Sequence, residues 1–104
     1  MRKAKVFVNK IPAGYLIEKD NQSGYVFEYE NNYLGQPISL TMPIQQKIYE
    51  FEKFPAFFDG VLPEGPQLEA LLRYAKLDRS DYFGQLVTVG TDLVGAVSVV
   101  EETL

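Results

Sequence analysis

Residues 57–66 read FFDGVLPEGP, and the rest of the chain is arranged around this stretch. Its prolines and glycines break regular structure, while its apolar residues are untypical of a linker that only connects two elements. Residues 54–59, which overlap the start of this stretch, predict a single helical turn. We expect the turn to end at Gly60 in a left-handed conformation. We expect Phe57 and Phe58 to anchor the stretch in the core. The remainder is then either a tight connection between helices or a rigid protrusion that faces a partner, because a constrained loop loses little entropy on binding.

The residues after this stretch predict two helices and a strand. Pro66 suits the start of the first helix, because its missing N–H costs nothing there. Apolar residues at i, i+3, i+4 and i+7 form the helical stripe, namely Leu68, Leu71, Leu72 and Ala75. The second helix is predicted to be capped by Ser80 and closed by Gly90. Residues 93–100 (LVGAVSVV) predict a strand that is central in a sheet or buried on both sides.

The first half of the chain predicts a sheet of antiparallel strands. Residues 25–30 (YVFEYE) alternate between aromatic and other side chains, as a half-buried strand does. Further strands are predicted over residues 5–9, 15–18 and 37–42 (PISLTM). Residues 48–51 form either a short strand, which the alternation over residues 49–52 favours, or a helical turn. The predicted fold is therefore α+β, a small antiparallel sheet or partly open barrel with two helices inserted before the last strand. At 104 residues the chain fits one domain, 1–104.

The charge distribution argues against a nucleic-acid ligand. The first ten residues carry four basic side chains and no acid, while the remainder has 6 basic and 14 acidic residues, a net charge of −8. Such a body repels a phosphate backbone. The basic cluster is interpreted as the solvated edge of the first strand. The chain has no cysteine and no apolar run long enough to span a membrane, so we expect a cytoplasmic protein without membrane contact.

Composition also removes most enzyme classes. The chain contains no histidine and no cysteine, which excludes Ser-His-Asp and Cys-His catalysis and the usual zinc and haem sites. Glycine-rich phosphate loops are absent from the sequence as well. Asp59 and Glu64 form the remaining pair of acids, and such loop acids are more often solvated or placed near a helix N-terminus than catalytic. The sequence therefore predicts no enzyme activity, catalytic residue, metal or cofactor.

Three segments, in this order, resemble motifs of the N-terminal subdomain of HipA-type Ser/Thr kinase toxins. Residues 37–43 (PISLTMP) are similar to their P-[LI]-S-[LI]-x-[ML]-P segment. Residues 57–65 (FFDGVLPEG) are similar to their F-F-D-x-L-L-P-[DE]-x segment, and residues 89–97 (VGTDLVGAV) to their G-x-D-x-x-G-A-[VL] element. The resemblance spans essentially the whole chain. It departs at Pro66, where many relatives carry a tryptophan.

The resemblance implies a small β-rich unit that packs against a kinase core, with the catalytic and ATP-binding residues in that core. Since the chain ends just after its last predicted strand, it resembles the freestanding, HipS-type form found in three-component HipBST toxin–antitoxin systems. The implied partner is a HipT-like Ser/Thr kinase toxin, and a ternary complex with a HipB-like DNA-binding protein is left open. The implied role is an antitoxin that inhibits the kinase; a structural or activating subunit is the alternative.

The predicted kinase-binding residues surround the 60–67 segment, which is expected to face the active-site cleft. They are Phe58, Asp59, Gly60, Leu62, Pro63, Glu64, Gly65, Pro66 and Gln67.

Overall fold

The computed structural model describes residues 1–93 and 95–102, and its centre is an open five-stranded antiparallel sheet with the strand order β4-β3-β2-β1-β5. The strands are β1 (Arg2–Val8), β2 (Ile11–Glu18), β3 (Tyr25–Tyr29), β4 (Ile48–Phe51) and β5 (Val97–Glu102). The helices are α1 (Ala56–Asp59), α2 (Gly65–Ala75) and α3 (Tyr82–Val89), with a short 3-10 turn at Asp20–Gln22. The predicted α+β class, with helices inserted before the last strand, is confirmed as an open sheet.

The alternation in β3 works as the sequence predicts. Tyr25, Phe27 and Tyr29 are buried, whereas Val26 and Glu28 on the other face are half-buried. The buried face continues into the neighbouring strands, and α1 and α3 pack against it. The largest fully buried side chains of this core are Phe27, Phe58, Phe83, Leu16 and Leu86.

Segment 37–42 is not a strand, so that prediction is wrong. The backbone makes turns there, including a hydrogen bond from Met42 N to Ser39 O of 3.1 Å. Ile38 and Met42 are buried while Leu40 is 96% exposed, although a strand would place all three on one face. The Tyr29 hydroxyl explains the turn, because it donates to Met42 O at 2.5 Å and accepts from Ile38 N at 3.1 Å.

The last strand also differs from its prediction. It begins at Val97 and lies at the edge of the sheet, paired with β1, and among its residues Val99 alone is buried. Its outer edge is met by the end of α3, where Val99 N donates to Gly90 O at 2.9 Å. A side chain at Gly90 would clash with Val99 O, because a Cβ there would lie 1.9 Å away. Val94, part of the predicted strand, lies outside the described residues.

The basic cluster is not at a sheet edge, because β1 lies between β2 and β5. Arg2 instead points toward the core side, where its guanidinium binds Glu18 at 2.7 Å and Asp81 at 2.6 Å. Asp81, rather than the predicted Ser80, caps α3 by accepting from Gly84 N at 3.0 Å. Burial works to raise the pKa of Asp81, but the hydrogen bonds from Arg2 and Gly84 outweigh it and lower that pKa. A carboxylate held by Arg2 is a stronger cap than a hydroxyl.

Within residues 1–93 and 95–102, the structure contains no helix with the length and apolar character that a membrane crossing requires.

Candidate partner-binding site

Helix α1 anchors the predicted site in the core. Phe58 is fully buried, with its ring centroid 5.2 Å from that of Phe57 and 6.2 Å from that of Phe27. Leu62, one turn later, is 9% exposed, and Phe57 packs partly buried against the same cluster. The prediction that Phe57 and Phe58 hold this stretch is confirmed. Because Phe58 has no exposed surface, it supports the site from the core and does not itself offer a contact to a partner.

The backbone from Pro55 to Leu62 forms consecutive tight turns. Gly60 N donates to Ala56 O at 2.9 Å, Val61 N to Phe58 O at 3.2 Å, and Leu62 N to Asp59 O at 3.2 Å. Gly60 therefore keeps a right-handed conformation with φ −66°, and the predicted left-handed one is wrong at this residue. The left-handed glycine is Gly65, with φ +58°. Gly65 is the first residue of α2, so the left-handed backbone conformation occurs where the chain enters this helix.

The 60–67 segment is exposed along most of its length. Gly60, Glu64, Gly65, Pro66 and Gln67 are exposed, and Pro63 is half-buried beside the buried Leu62. Asp59, just before the segment, is also exposed. The structure thus places eight of the nine predicted residues, all but Phe58, in one largely exposed segment with the buried Leu62 at its base, and this segment is called the protrusion below.

A groove lies on each side of this protrusion. The first, called here the Val61 groove, has a volume of about 510 Å³ and separates the 60–67 segment from the end of α3. Its apolar lining consists of Val61, Leu62, Pro63, Val89 and Leu93, and Asp92 and Gln67 also line it. The second, the Arg79 groove, has a volume of about 210 Å³ and is lined by Asp59, Leu62, Pro63, Glu64, Leu68, Arg79, Tyr82 and Gln85. The two grooves share Leu62 and Pro63.

Sequence reasoning missed the α3 side of the Val61 groove. Val89, Asp92 and Leu93 follow the 60–67 segment by more than twenty positions, so no local spacing connects them with it. The family resemblance over residues 89–97 did point to this segment, but it gave no information on its position relative to residues 60–67.

The protrusion is surrounded by negative charge. Asp59, Glu64 and Asp92 are exposed, and none of them forms an ion pair within the part of the chain that the structure describes. The neighbouring Arg79 is bound to Glu69 of α2. These acids therefore have free charge to offer a partner.

The two acids near the start of the segment share a groove. Asp59 and Glu64 line one shallow groove, where both are exposed and solvated. In the described part of the chain, no cluster of three or more acids could hold a metal ion.

The long loop between β3 and β4 carries two exposed leucines. Leu34 is 88% and Leu40 96% exposed. The loop is nevertheless held to the sheet, since Tyr33 stacks on Tyr29 with ring centroids 5.8 Å apart. Single exposed leucines of this kind are common on protein surfaces and do not by themselves mark an interface.

Comparison with known proteins agrees with this architecture. Residues 4–100 match the family model described as the HipA N-terminal domain. A solved structure described as the N-terminal domain of HipA toxin superposes with a TM-score of 0.80 at 31% identity, covering 99% of this chain and 94% of that one. An uncharacterised protein of Haemophilus influenzae is 31% identical over 102 residues, which is 98% of this chain and 94% of the relative. The chain belongs to the HipA N-terminal domain family.

Proposed function

We propose that this chain is the antitoxin of a HipA-related toxin–antitoxin system and that it binds and inhibits a HipT-like Ser/Thr kinase. It docks on the kinase core with the 60–67 segment facing the active-site cleft, where it blocks substrate entry or closure of the lobes. The kinase supplies the catalytic and ATP-binding residues, and this chain is not an enzyme. Both proteins act in the cytoplasm.

One observation carries the proposal: the 60–67 segment is a preorganised protrusion. Its base is fixed by the buried Phe58 and Leu62, and its turns are closed by backbone hydrogen bonds. Binding therefore does not have to order this part of the backbone, which lowers the entropic cost of association. The family match supports the partner class, because relatives carry the equivalent unit as the N-terminal domain of a HipA toxin.

The test is to purify the chain together with the HipT-like kinase encoded beside it and to measure kinase autophosphorylation with and without the chain. We expect a stable complex and loss of phosphorylation. A stable complex with unchanged or increased phosphorylation would instead identify a structural or activating subunit. If the two proteins do not form a complex, both functions are wrong.

A gain-of-function variant tests which part of the chain docks. Pro66→Trp places a large aromatic side chain at an exposed position of the protrusion. This is the position at which the segment departs from the HipA-type motif that it resembles. We expect binding to tighten by about ten-fold, since aromatic anchors dominate interface energies. Leu34→Trp is the matched control on the other exposed loop, and its affinity should equal that of the wild type. Equal effects of the two variants would contradict docking through the 60–67 segment.

A further inference from the structure

We infer that the Val61 groove receives an apolar side chain of the kinase that is flanked by lysine or arginine. This inference rests on the proposed function, and it adds a receiving site on this chain to the protrusion that enters the kinase. The interface would then interlock, with each protein inserting a segment into the other.

The floor of the groove is suited to an apolar side chain. Val61, Val89 and Leu93 are half-buried, and Leu62 closes the base at 9% exposure. Each of these side chains still shows apolar surface to water, which a partner would cover. The groove volume of about 510 Å³ lies within the size range of well-formed binding sites in proteins.

The walls of the groove are held on fixed elements. Val61 and Leu62 belong to the turns that follow α1, and Val89 is the last residue of α3. The adjoining chain is tied back, because Asp92 N donates to Val89 O at 2.8 Å and Gly90 O accepts from Val99 N at 2.9 Å. The groove is thus present before a partner binds.

Charge specifies the occupant. Asp92 lines the groove, and Asp59 and Glu64 line the adjoining Arg79 groove across the shared Leu62 and Pro63. All three are exposed and lack an ion pair among residues 1–93 and 95–102. One acid at the edge of an apolar floor, with two more across Leu62 and Pro63, attracts basic side chains and disfavours acidic ones. The complementary segment therefore combines an apolar residue with neighbouring lysine or arginine.

The test is the affinity for the kinase of the full chain carrying Asp92→Lys, measured by calorimetry at low and at high salt. We expect binding about ten-fold weaker than that of the wild type at low salt, because a favourable charge contact becomes repulsive. The difference should shrink at high salt, where exposed charges are screened. Asp92 is exposed, so its replacement leaves the core intact, and circular dichroism checks the fold.

Glu101→Lys is the matched control. Glu101 is an exposed acid without an ion pair in the described chain, and it lies near the end of β5 and does not line the Val61 groove. It should bind as tightly as the wild type. A second variant, Leu93→Ser, tests the apolar floor and should weaken binding equally at both salt concentrations.

The outcomes separate the two proposals. If the wild type binds the kinase and both groove variants bind equally well, the groove inference is wrong and the proposed function stands. An equal loss in Asp92→Lys and Glu101→Lys would show a general charge effect and would also overturn the inference. If the wild type does not bind the kinase, the proposed function fails and the inference fails with it.

Discussion

Two segments of this domain have the same spacing of buried residues but are held by different forces. Segment 37–42 buries Ile38 and Met42, and segment 57–66 buries Phe58 and Leu62, each pair four residues apart. The first is fixed mainly by hydrogen bonds to one buried hydroxyl, that of Tyr29. The second is fixed by aromatic packing around Phe58. The comparison shows that similar loops can depend on polar or on apolar anchors, which respond differently to mutation and to pH.

The segments also differ in the surface that they present. Residues 31–46 carry no charged side chain, and their exposed apolar residues are Leu34 and Leu40. Segment 57–66 carries Asp59 and Glu64 next to apolar grooves. The first surface offers apolar and uncharged polar contact, whereas the second combines apolar contact with charge. We therefore expect the second to determine which partner binds.

The largest effect is expected when the apolar anchor is removed. Phe58→Ala should lower the free energy of unfolding by about 3–5 kcal/mol, because it deletes a fully buried ring. Urea denaturation measures this loss. Leu40→Ala is the control, since a 96% exposed side chain should change stability by less than about 0.5 kcal/mol. Similar losses in both variants would contradict the assignment of Phe58 as the anchor.

A smaller effect is expected for the polar anchor. Tyr29→Phe keeps the ring but leaves Ile38 N and Met42 O without their partner, which should cost about 1–3 kcal/mol. Hydrogen exchange should show the Ile38 amide losing protection while the amides of Gly60 and Val61 keep theirs. If the protection of the two segments fell together, the segments would not be independent.

The two glycines of segment 57–66 provide a finer test. Gly65→Ala should cost about 1 kcal/mol, because its left-handed φ of +58° is unfavourable for alanine. No heavy atom lies within 4 Å of the added Cβ, so the cost would come from the backbone alone. Gly60→Ala should be neutral or slightly stabilising, because φ is −66° and the nearest contact is 3.4 Å. Thermal denaturation of both variants measures these changes in stability. A larger loss for Gly60→Ala than for Gly65→Ala would contradict the assigned conformations.

The smallest effect is expected at alkaline pH. Burial raises the pKa of Tyr29 above its ordinary value of 10.0, against the opposing hydrogen bond from Ile38 N. A raised pKa means that the folded state holds this proton more tightly than the unfolded state. The resulting stability is complete below pH 10 or so and is lost as the pH rises through the folded-state value.

Urea denaturation across this pH range should therefore show a smaller alkaline loss of stability for Tyr29→Phe than for the wild type. Burial also raises the pKa of Tyr25 and of Tyr33, but both residues remain in the variant and contribute equally to the two curves. Identical pH dependence in the two proteins would exclude Tyr29 as a titrating anchor.

The sequence predicted the parts of the fold that follow from local periodicity. The alternation in residues 25–30 identified β3, and the apolar spacing from Leu68 to Ala75 identified α2. For residues 60–67, the prolines and glycines left two interpretations open, a tight connection between helices and a partner-facing protrusion, and the second stays a prediction. In contrast, residues 37–42 have strand-like composition but make turns, because a hydroxyl from another strand satisfies their backbone.

The sequence by itself determined the α+β class, the absence of histidine and cysteine chemistry, the main helix and the anchoring of the 57–66 stretch. These depend on composition and on contacts between residues close in the chain. Tertiary structure alone decided that β5 is an edge strand, that Asp81 is fixed as a cap by Arg2, and that Leu93 and Asp92 meet Val61 across a groove. Each depends on side chains that are distant in sequence, and their positions are set by packing of the whole domain.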